Sequence, residues 1–206
     1  MARKVANFDE LNIFDYFSEM DLPQEEIDKR IVLAQMIKDS YRRLFVKERA
    51  RKAIRSDADL DYQVFEDYLV EEYFDILKKN GIEVDTYTKE YVEFVAKEVT
   101  DTTQKHWSEE HTLSDARAVE IAVNDANVVL NHERDERAKA SGKKYKVWHT
   151  EMDDKVRETH SESEGQRVPI DKPFTVGFSQ LMYPCDTSLG ADPSEIIGCR
   201  CVAEYQ

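Results

Sequence analysis

The residue types best suited to chemistry lie in the last third of the chain. Cys185, Cys199 and Cys201 are its three cysteines, and His149 and His160 stand in the same block. Zinc takes four Cys or His donors in a tetrahedron, so His160, Cys185, Cys199 and Cys201 are the candidate ligands. Cys-x-Cys is a weaker zinc signal than the two-residue spacer of common zinc knuckles. The plainer reading is buried, reduced thiols, with no metal and no cofactor, and the sequence favours it. A Cys–His pair could also supply a nucleophile and its base. The sequence places no helix start beside any cysteine to activate a thiolate.

A second constellation precedes the cysteines. Asp153, Arg157 and His160 are spaced four and three residues apart, which predicts one face of a helical turn within EMDDKVRETH. Asp153 and Arg157 could pair there, with His160 one turn on. Acid–base work by Asp153 and His160 is the sharper reading, and a polar brace locking the turn against the next loop is the plainer one. No Gly-rich phosphate loop, G-x-S-x-G, H-E-x-x-H or C-x-x-C occurs. The chain is therefore expected not to be an enzyme.

These residues must be positioned by the elements around them. Five of the six glycines and four of the five prolines fall at or after Gly142, so helix gives way to strands and turns there. KKYKVWHT alternates polar and apolar residues and predicts a strand, with Tyr145, Val147 and His149 on one face and Lys144, Lys146 and Trp148 on the other. Val168–Asp171 and Pro173–Val176 predict short extended pieces. Ile196–Val202 predicts a closing strand on which Cys199 and Cys201 face one way and Arg200 the other.

Before Gly142 the pattern is helical. Residues 9–20 predict a short helix with Leu11, Phe14 and Phe17 on one side. Pro23 followed by acids starts a long helix that runs to about Arg55. Ser56–Asp61 predicts a turn, and a second helix ends at Asn80-Gly81 with an apolar closing contact from Ile82. A third starts near Thr86 or Thr88. Ser114 caps a fourth, which Ser141-Gly142 stops. Ala118, Ala122 and Ala126 form a small-residue stripe along it. Phe14, Tyr41, Phe45, Phe65, Tyr73, Phe74, Tyr91 and Phe94 read as core. The fold class is α+β: an extended N-terminal helical region over 1–112, then a small domain over 113–206 made of a long helix (114–141) and a block of short strands, turns and a helix (142–206).

The charge is −14 over 206 residues, with 35% of residues charged. That argues against a surface built to lie along a phosphate backbone. One local exception is Lys47, Arg49, Arg51, Lys52 and Arg55. These cations suit a helix C-terminus, or they could touch nucleic acid or an acidic partner. No apolar run approaches the ~20 residues of a membrane span. The basic start MARKVANFDELNIF lacks the apolar core of a secretory signal. Three cysteines without such a signal predict a reducing compartment.

Taken in order, Trp148, Asp153, Arg157, His160, Gly165, Asp171, Phe174, Pro184, Asp186, Cys199, Arg200 and Cys201 resemble the C-terminal domain of phage Mu F-like minor head proteins, the phage head morphogenesis proteins. The resembled pattern is W, D-x-x-V-R-x-x-H, a glycine turn, D-x-x-F, P-x-D and a terminal I-N-C-R-C. The helix over RAVEIAVNDANVVLNHERDERAKASG is similar to the one preceding this block in the family. The sequence departs from the pattern at Gly198, where Asn is usual, at Cys185, where Gly is frequent, and at Asn124-Asp125, where many members have Thr-Glu.

The resemblance implies a minor protein of a tailed-phage or prophage head, inside the capsid and in the host cytoplasm during assembly. Its implied partners are the portal and other head proteins. Contact with packaged DNA would be confined to the local basic segment, and no membrane is involved. Two other functions compete. One is a nuclease- or transferase-type enzyme, or toxin-related domain, using the Asp153/Arg157/His160 face. The other is an acidic regulator of a basic partner.

Overall fold

The computed structural model describes residues 12–55 and 58–206. Leu11 and the first two residues of the expected Ser56–Asp61 turn lie outside them. The described chain forms two compact units. One contains Val32–Ala122; the other contains residues 12–31 and Val123–Gln206. The helices α2 (Gln24–Ile54) and α5 (Asp115–Ala140) each contribute to both units.

The Val32–Ala122 unit is helical. It holds most of α2, then α3 (Tyr62–Lys79), α4 (Thr86–Lys105), a 3-10 turn at Glu110–Leu113 and the start of α5. Tyr41 packs on Phe45 and Tyr73 at ring separations of 5.7 and 6.2 Å, and Phe45 stacks with Phe65. The expected stop of α3 is present. Gly81 takes φ 68°, and the Ile82 amide donates to the Leu77 carbonyl at 3.0 Å, which satisfies a carbonyl the helix leaves open. Asp85 caps α4 by accepting from the Thr88 amide at 2.7 Å. Phe94 is exposed rather than core. The buried stripe of α4 runs through Val92, Ala96, Val99 and Thr103, and position 94 lies off that face.

Buried Arg117 was not foreseen. Its guanidinium donates to Thr103 Oγ1 and to the carbonyls of Thr112 and Val99, so the charge is desolvated but saturated. The basic segment at the end of α2 is largely used within the same unit. Arg49 donates to the Leu113 carbonyl and Arg51 pairs with Glu48. Lys52 donates to the Trp107 carbonyl while lying over its ring. Lys47 and Arg55 are exposed.

The other unit is α+β. Asn12 caps α1 (Ile13–Ser18) by accepting from the Phe14 amide. Tyr16 and Phe17 point inward, while Phe14, one position off their face, is exposed rather than core. An antiparallel sheet has the order β2 (Arg167–Pro169), β1 (Tyr145–His149), β5 (Val202–Tyr205). The register pairs Tyr145 with Pro169 and His149 with Val202. β3 (Phe174–Val176) and β4 (Ser179–Leu181) form a separate hairpin. Two short helices, α6 (Glu158–Glu162) and α7 (Pro193–Ile196), complete it.

Two expectations are corrected here. EMDDKVRETH is not one helical turn: residues 153–156 form a bend and turn, and α6 begins only at Glu158. Asp153, Arg157 and His160 therefore do not share a helical face. The closing strand starts at Val202 rather than Ile196. Pro193 in the first turn of α7 and Gly198 at φ 68° turn the chain before the ladder begins.

Lys146 and Trp148 share a face of β1, and both are fully buried. Lys146 sits between Asp135, at 3.6 Å, and the Met182 carbonyl. Trp148 packs edge-on against Phe174 and His160, at 5.3 and 5.7 Å. Its amide donates to the Gln166 carbonyl, and its carbonyl accepts from the Gly165 amide. Gly165, at φ 71°, thereby returns the chain from α6 to the sheet.

Candidate functional site

The site is assembled around α5, whose buried face carries Asn124, Asn127 and Asn131 at three- and four-residue spacing. Asn124 Oδ1 accepts from the Gly198 amide at 2.7 Å. Asn127 donates to the Cys199 carbonyl at 3.2 Å, and Asn131 to the Pro184 carbonyl at 2.8 Å. One helix face therefore fixes the two loops that carry Cys185 and Cys199. Arg30, fully buried, holds the asparagines in turn, donating to Asn127 Oδ1 at 3.3 Å and Asn131 Oδ1 at 2.7 Å. Burial pulls the Arg30 guanidinium down to about 10. The Tyr16 hydroxyl also donates to the Cys199 carbonyl, at 3.0 Å.

Asp186 locks the loop around Cys185. Its carboxylate accepts from the Met182 and Ser188 amides at 2.7 and 2.8 Å. Cys185 itself takes φ 68°, a left-handed conformation that a non-glycine residue adopts at a cost of about 1–2 kcal/mol. That explains the frequent glycine at this place in the resembled pattern, and it leaves the presence of a thiol here unexplained by the backbone.

Cys199 and Cys201 are buried and turned to the same side, as expected, although the segment is not a strand. They meet His160. Nδ1 lies 3.3 Å from Cys201 Sγ and 3.6 Å from Cys199 Sγ, and the three donor atoms all lie within 4.8 Å of one another. Cys185 Sγ reaches the Cys199 carbonyl at 3.6 Å and lies just outside that cluster. The other imidazole nitrogen of His160, Nε2, lies 3.1 Å from Glu195 Oε2, which also accepts from Thr159 Oγ1 at 2.8 Å.

The electrostatics follow from this convergence. Hydrogen bonds from the Cys185 and Cys201 thiols, aided by His160, hold the Cys199 thiol well below its ordinary value despite burial. The same bonding to Cys199, together with burial, pushes the Cys185 and Cys201 thiols up. Burial works against a charged His160, but the neighbouring Cys199 outweighs it and raises the imidazole.

Arg200 points the opposite way from its flanking cysteines. One guanidinium nitrogen reaches both oxygens of Asp153, at 2.7 and 2.8 Å, and another reaches Glu19 at 2.8 Å. Arg157 donates to the Ile197 carbonyl. The expected Asp153–Arg157 pair is therefore replaced by Asp153–Arg200 and by a backbone contact. A cleft lined by Lys155, Val156, Arg157, His160, Cys199 and Cys201 opens on this region.

Of the remaining residues singled out from sequence, Trp148 and Phe174 form the packing wall behind His160, while Asp171 is exposed beside Lys172. His149 is not at the thiols; it lies between Glu164 and Glu204 at 3.0 and 3.1 Å. Sequence reasoning missed Glu195, Asn127, Asn131 and Arg30. The three- and four-residue spacing of the asparagines on a helix was the available signal. Nothing local marked Glu195.

The arrangement contains a Cys–His–Glu chain of contacts, but Cys199 is only 1% exposed and Cys201 lies nearer to the same imidazole nitrogen. Asp153 and Arg157 are held by Arg200 and the Ile197 carbonyl and do not share a helical face with His160. No helix among the described residues is long and apolar enough to cross a membrane.

No curated protein and no solved structure matches this chain. The family model described as phage Mu protein F like protein matches residues 79–204, more than half of the 206 residues. It takes in the asparagine face of α5, the His160 turn and the Cys-Arg-Cys segment together, and on that match the chain belongs to the phage Mu protein F like family.

Proposed function

We propose that this protein is a minor head protein of a tailed phage or prophage, associated with the portal inside the capsid and acting in head assembly and in DNA packaging or delivery. The observation that carries this reading is the family match over 79–204, since that family is one of head morphogenesis. The interior of the C-terminal unit is consistent with a scaffold. Asn124, Asn127, Asn131, Arg30 and Asp186 are spent on fixing loops.

The partners of this reading are the portal and other head proteins. Arg49, Arg51 and Lys52 are bound to Leu113, Glu48 and Trp107, which supports protein contacts over DNA contacts for that segment. The net charge of −14 adds a general repulsion from packaged DNA. The test is assembly of heads from the phage's own portal, scaffold and capsid proteins with this chain present. It is expected to sediment with procapsids and to co-purify with the portal at moderate salt. Its absence from procapsids containing portal would overturn the reading.

A further inference from the structure

We propose that His160 Nδ1, Cys185, Cys199 and Cys201 bind one zinc ion in a closed tetrahedral site that clamps the two loops to α6. The first argument is distance. Zn–S bonds of about 2.3 Å and Zn–N bonds of about 2.0–2.1 Å at a tetrahedral angle place sulfur and nitrogen about 3.5–3.6 Å apart. Nδ1 lies 3.3 Å from Cys201 Sγ and 3.6 Å from Cys199 Sγ. A neutral imidazole nitrogen carries one hydrogen or one lone pair and can serve only one of those sulfurs well. A metal between them serves both.

The second argument is the shell behind the donors. A zinc-binding histidine commonly gives its other N–H to a carboxylate, which fixes the ring and its tautomer. His160 Nε2 has Glu195 at 3.1 Å, and Thr159 holds the same carboxylate oxygen. On the opposite side the Trp148 indole N–H is buried without a hydrogen-bond partner and lies by the Cys201 sulfur. A metal-bound thiolate is a better acceptor for it than a thiol.

The third argument concerns Cys185. It occupies a left-handed backbone position, φ 68°, that glycine would fill without strain, yet its thiol is 2% exposed and reaches the Cys199 carbonyl at 3.6 Å, just outside the cluster formed by the other three donors, so a turn of its side chain is needed to bring it to the metal. As fourth ligand it closes the site and gives that strain a use. Arg30 and Arg157 lie near enough to act on the Cys185 sulfur, so two cations offset the single net negative charge of zinc with three thiolates. On binding, the three cysteines and His160 Nδ1 together release three protons to solvent, three Zn–S bonds and one Zn–N bond form, and His160 keeps its Nε2 proton. No electron is transferred.

The test uses the full chain, purified under reductant and loaded with zinc, then separately with cobalt(II). One equivalent of zinc by elemental analysis is expected. The cobalt form should show thiolate-to-metal charge transfer and the visible bands of a tetrahedral ion. A loaded chain holding far less than one equivalent, or cobalt without thiolate bands, overturns the site. Glu195→Ala keeps all four ligands and is expected to fold while binding zinc about 10–100-fold more weakly in competition with a chelator; unchanged affinity counts against the site. Cys185→Ser should shift the cobalt spectrum, and an unchanged spectrum overturns the four-ligand assignment. Rapid alkylation of Cys199 in the zinc-loaded chain would point instead to a nucleophilic thiol.

Discussion

Asp153 holds Arg200 through both carboxylate oxygens, and Arg200 is the residue between the two converging cysteines. The outward face of the Cys-Arg-Cys segment is thus tied to the 153–156 bend while its inward face meets His160. Arg200 is 8% exposed at its side chain and also serves Glu19, whereas Asp153 is one-third exposed. Removing the arginine should therefore matter more than removing the aspartate. Asp153→Ala is expected to lower unfolding free energy by about 1 kcal/mol, discounted for solvent screening. Arg200→Ala should cost about 2–3 kcal/mol, since two ion pairs and a packed stem are lost together. Arg200→Lys should fall between them, because an ammonium cannot present the guanidinium fork. Urea denaturation of the three variants gives the order; equal losses would mean the pairs are incidental.

His149 supplies a pH dependence. Burial lowers its affinity for a proton, but hydrogen bonds to Glu164 and Glu204 outweigh that and hold it above its ordinary value. A group raised in the folded state stabilises fully below its unfolded value, about 6.5. That contribution fades as pH rises through the raised folded value. The melting temperature should accordingly fall from pH 6 toward alkaline pH more steeply in the parent than in His149→Gln. Parallel curves for the two would remove His149 as the cause.

Gly177 and Gly190 separate close approach from backbone strain. Both have positive φ, 58° and 69°. A Cβ at Gly177 would lie 3.0 Å from Thr159 Cγ2 and 3.2 Å from Glu195 Oε1, while one at Gly190 meets nothing within 4 Å. Gly190→Ala should cost only the left-handed term, about 1 kcal/mol. Gly177→Ala should exceed it by roughly 1–3 kcal/mol of overpacking and should displace Glu195 from His160. Thermal melts of the pair, with the His160 side-chain NMR signals as a local reporter, check both parts.

The sequence reading succeeded where the cause is local. Ser114 before α5, Gly142 after it and the Asn80-Gly81 stop of α3 are cap chemistry that needs no tertiary partner. The ordered residues from Trp148 to Cys201 were legible as a family pattern. What failed were assignments in which a local rule meets a distant partner. The four-residue spacing of Asp153 and Arg157 suggested a helical pair, but Arg200, 47 positions away, takes Asp153 and the turn never becomes helix. Alternation predicted a strand through Cys199, but Gly198 and the Asn124 contact bend that segment onto α5. Lys146 and Arg30 are buried cations that no local pattern marks, and a distant carboxylate or amide receives each.

Asn131 tests whether the α5 face is what sets the thiol loops. Its amide donates to the Pro184 carbonyl at 2.8 Å, and its oxygen accepts from Arg30 at 2.7 Å. Asn131→Ala leaves a buried carbonyl and one arm of a fully buried guanidinium without those partners. Each unmet group carries a desolvation penalty of about 1–3 kcal/mol, so the expected loss is about 2–4 kcal/mol. Asn131→Asp should recover part of it: the carboxylate still accepts from Arg30 but cannot donate to Pro184. The local signature is faster amide exchange at Asp186, whose amide donates to the Tyr183 carbonyl in this loop, ahead of any change at Trp148 in β1. Exchange that rises equally at both positions would mean that Asn131 supports the whole unit and does not specifically hold the Cys185 loop.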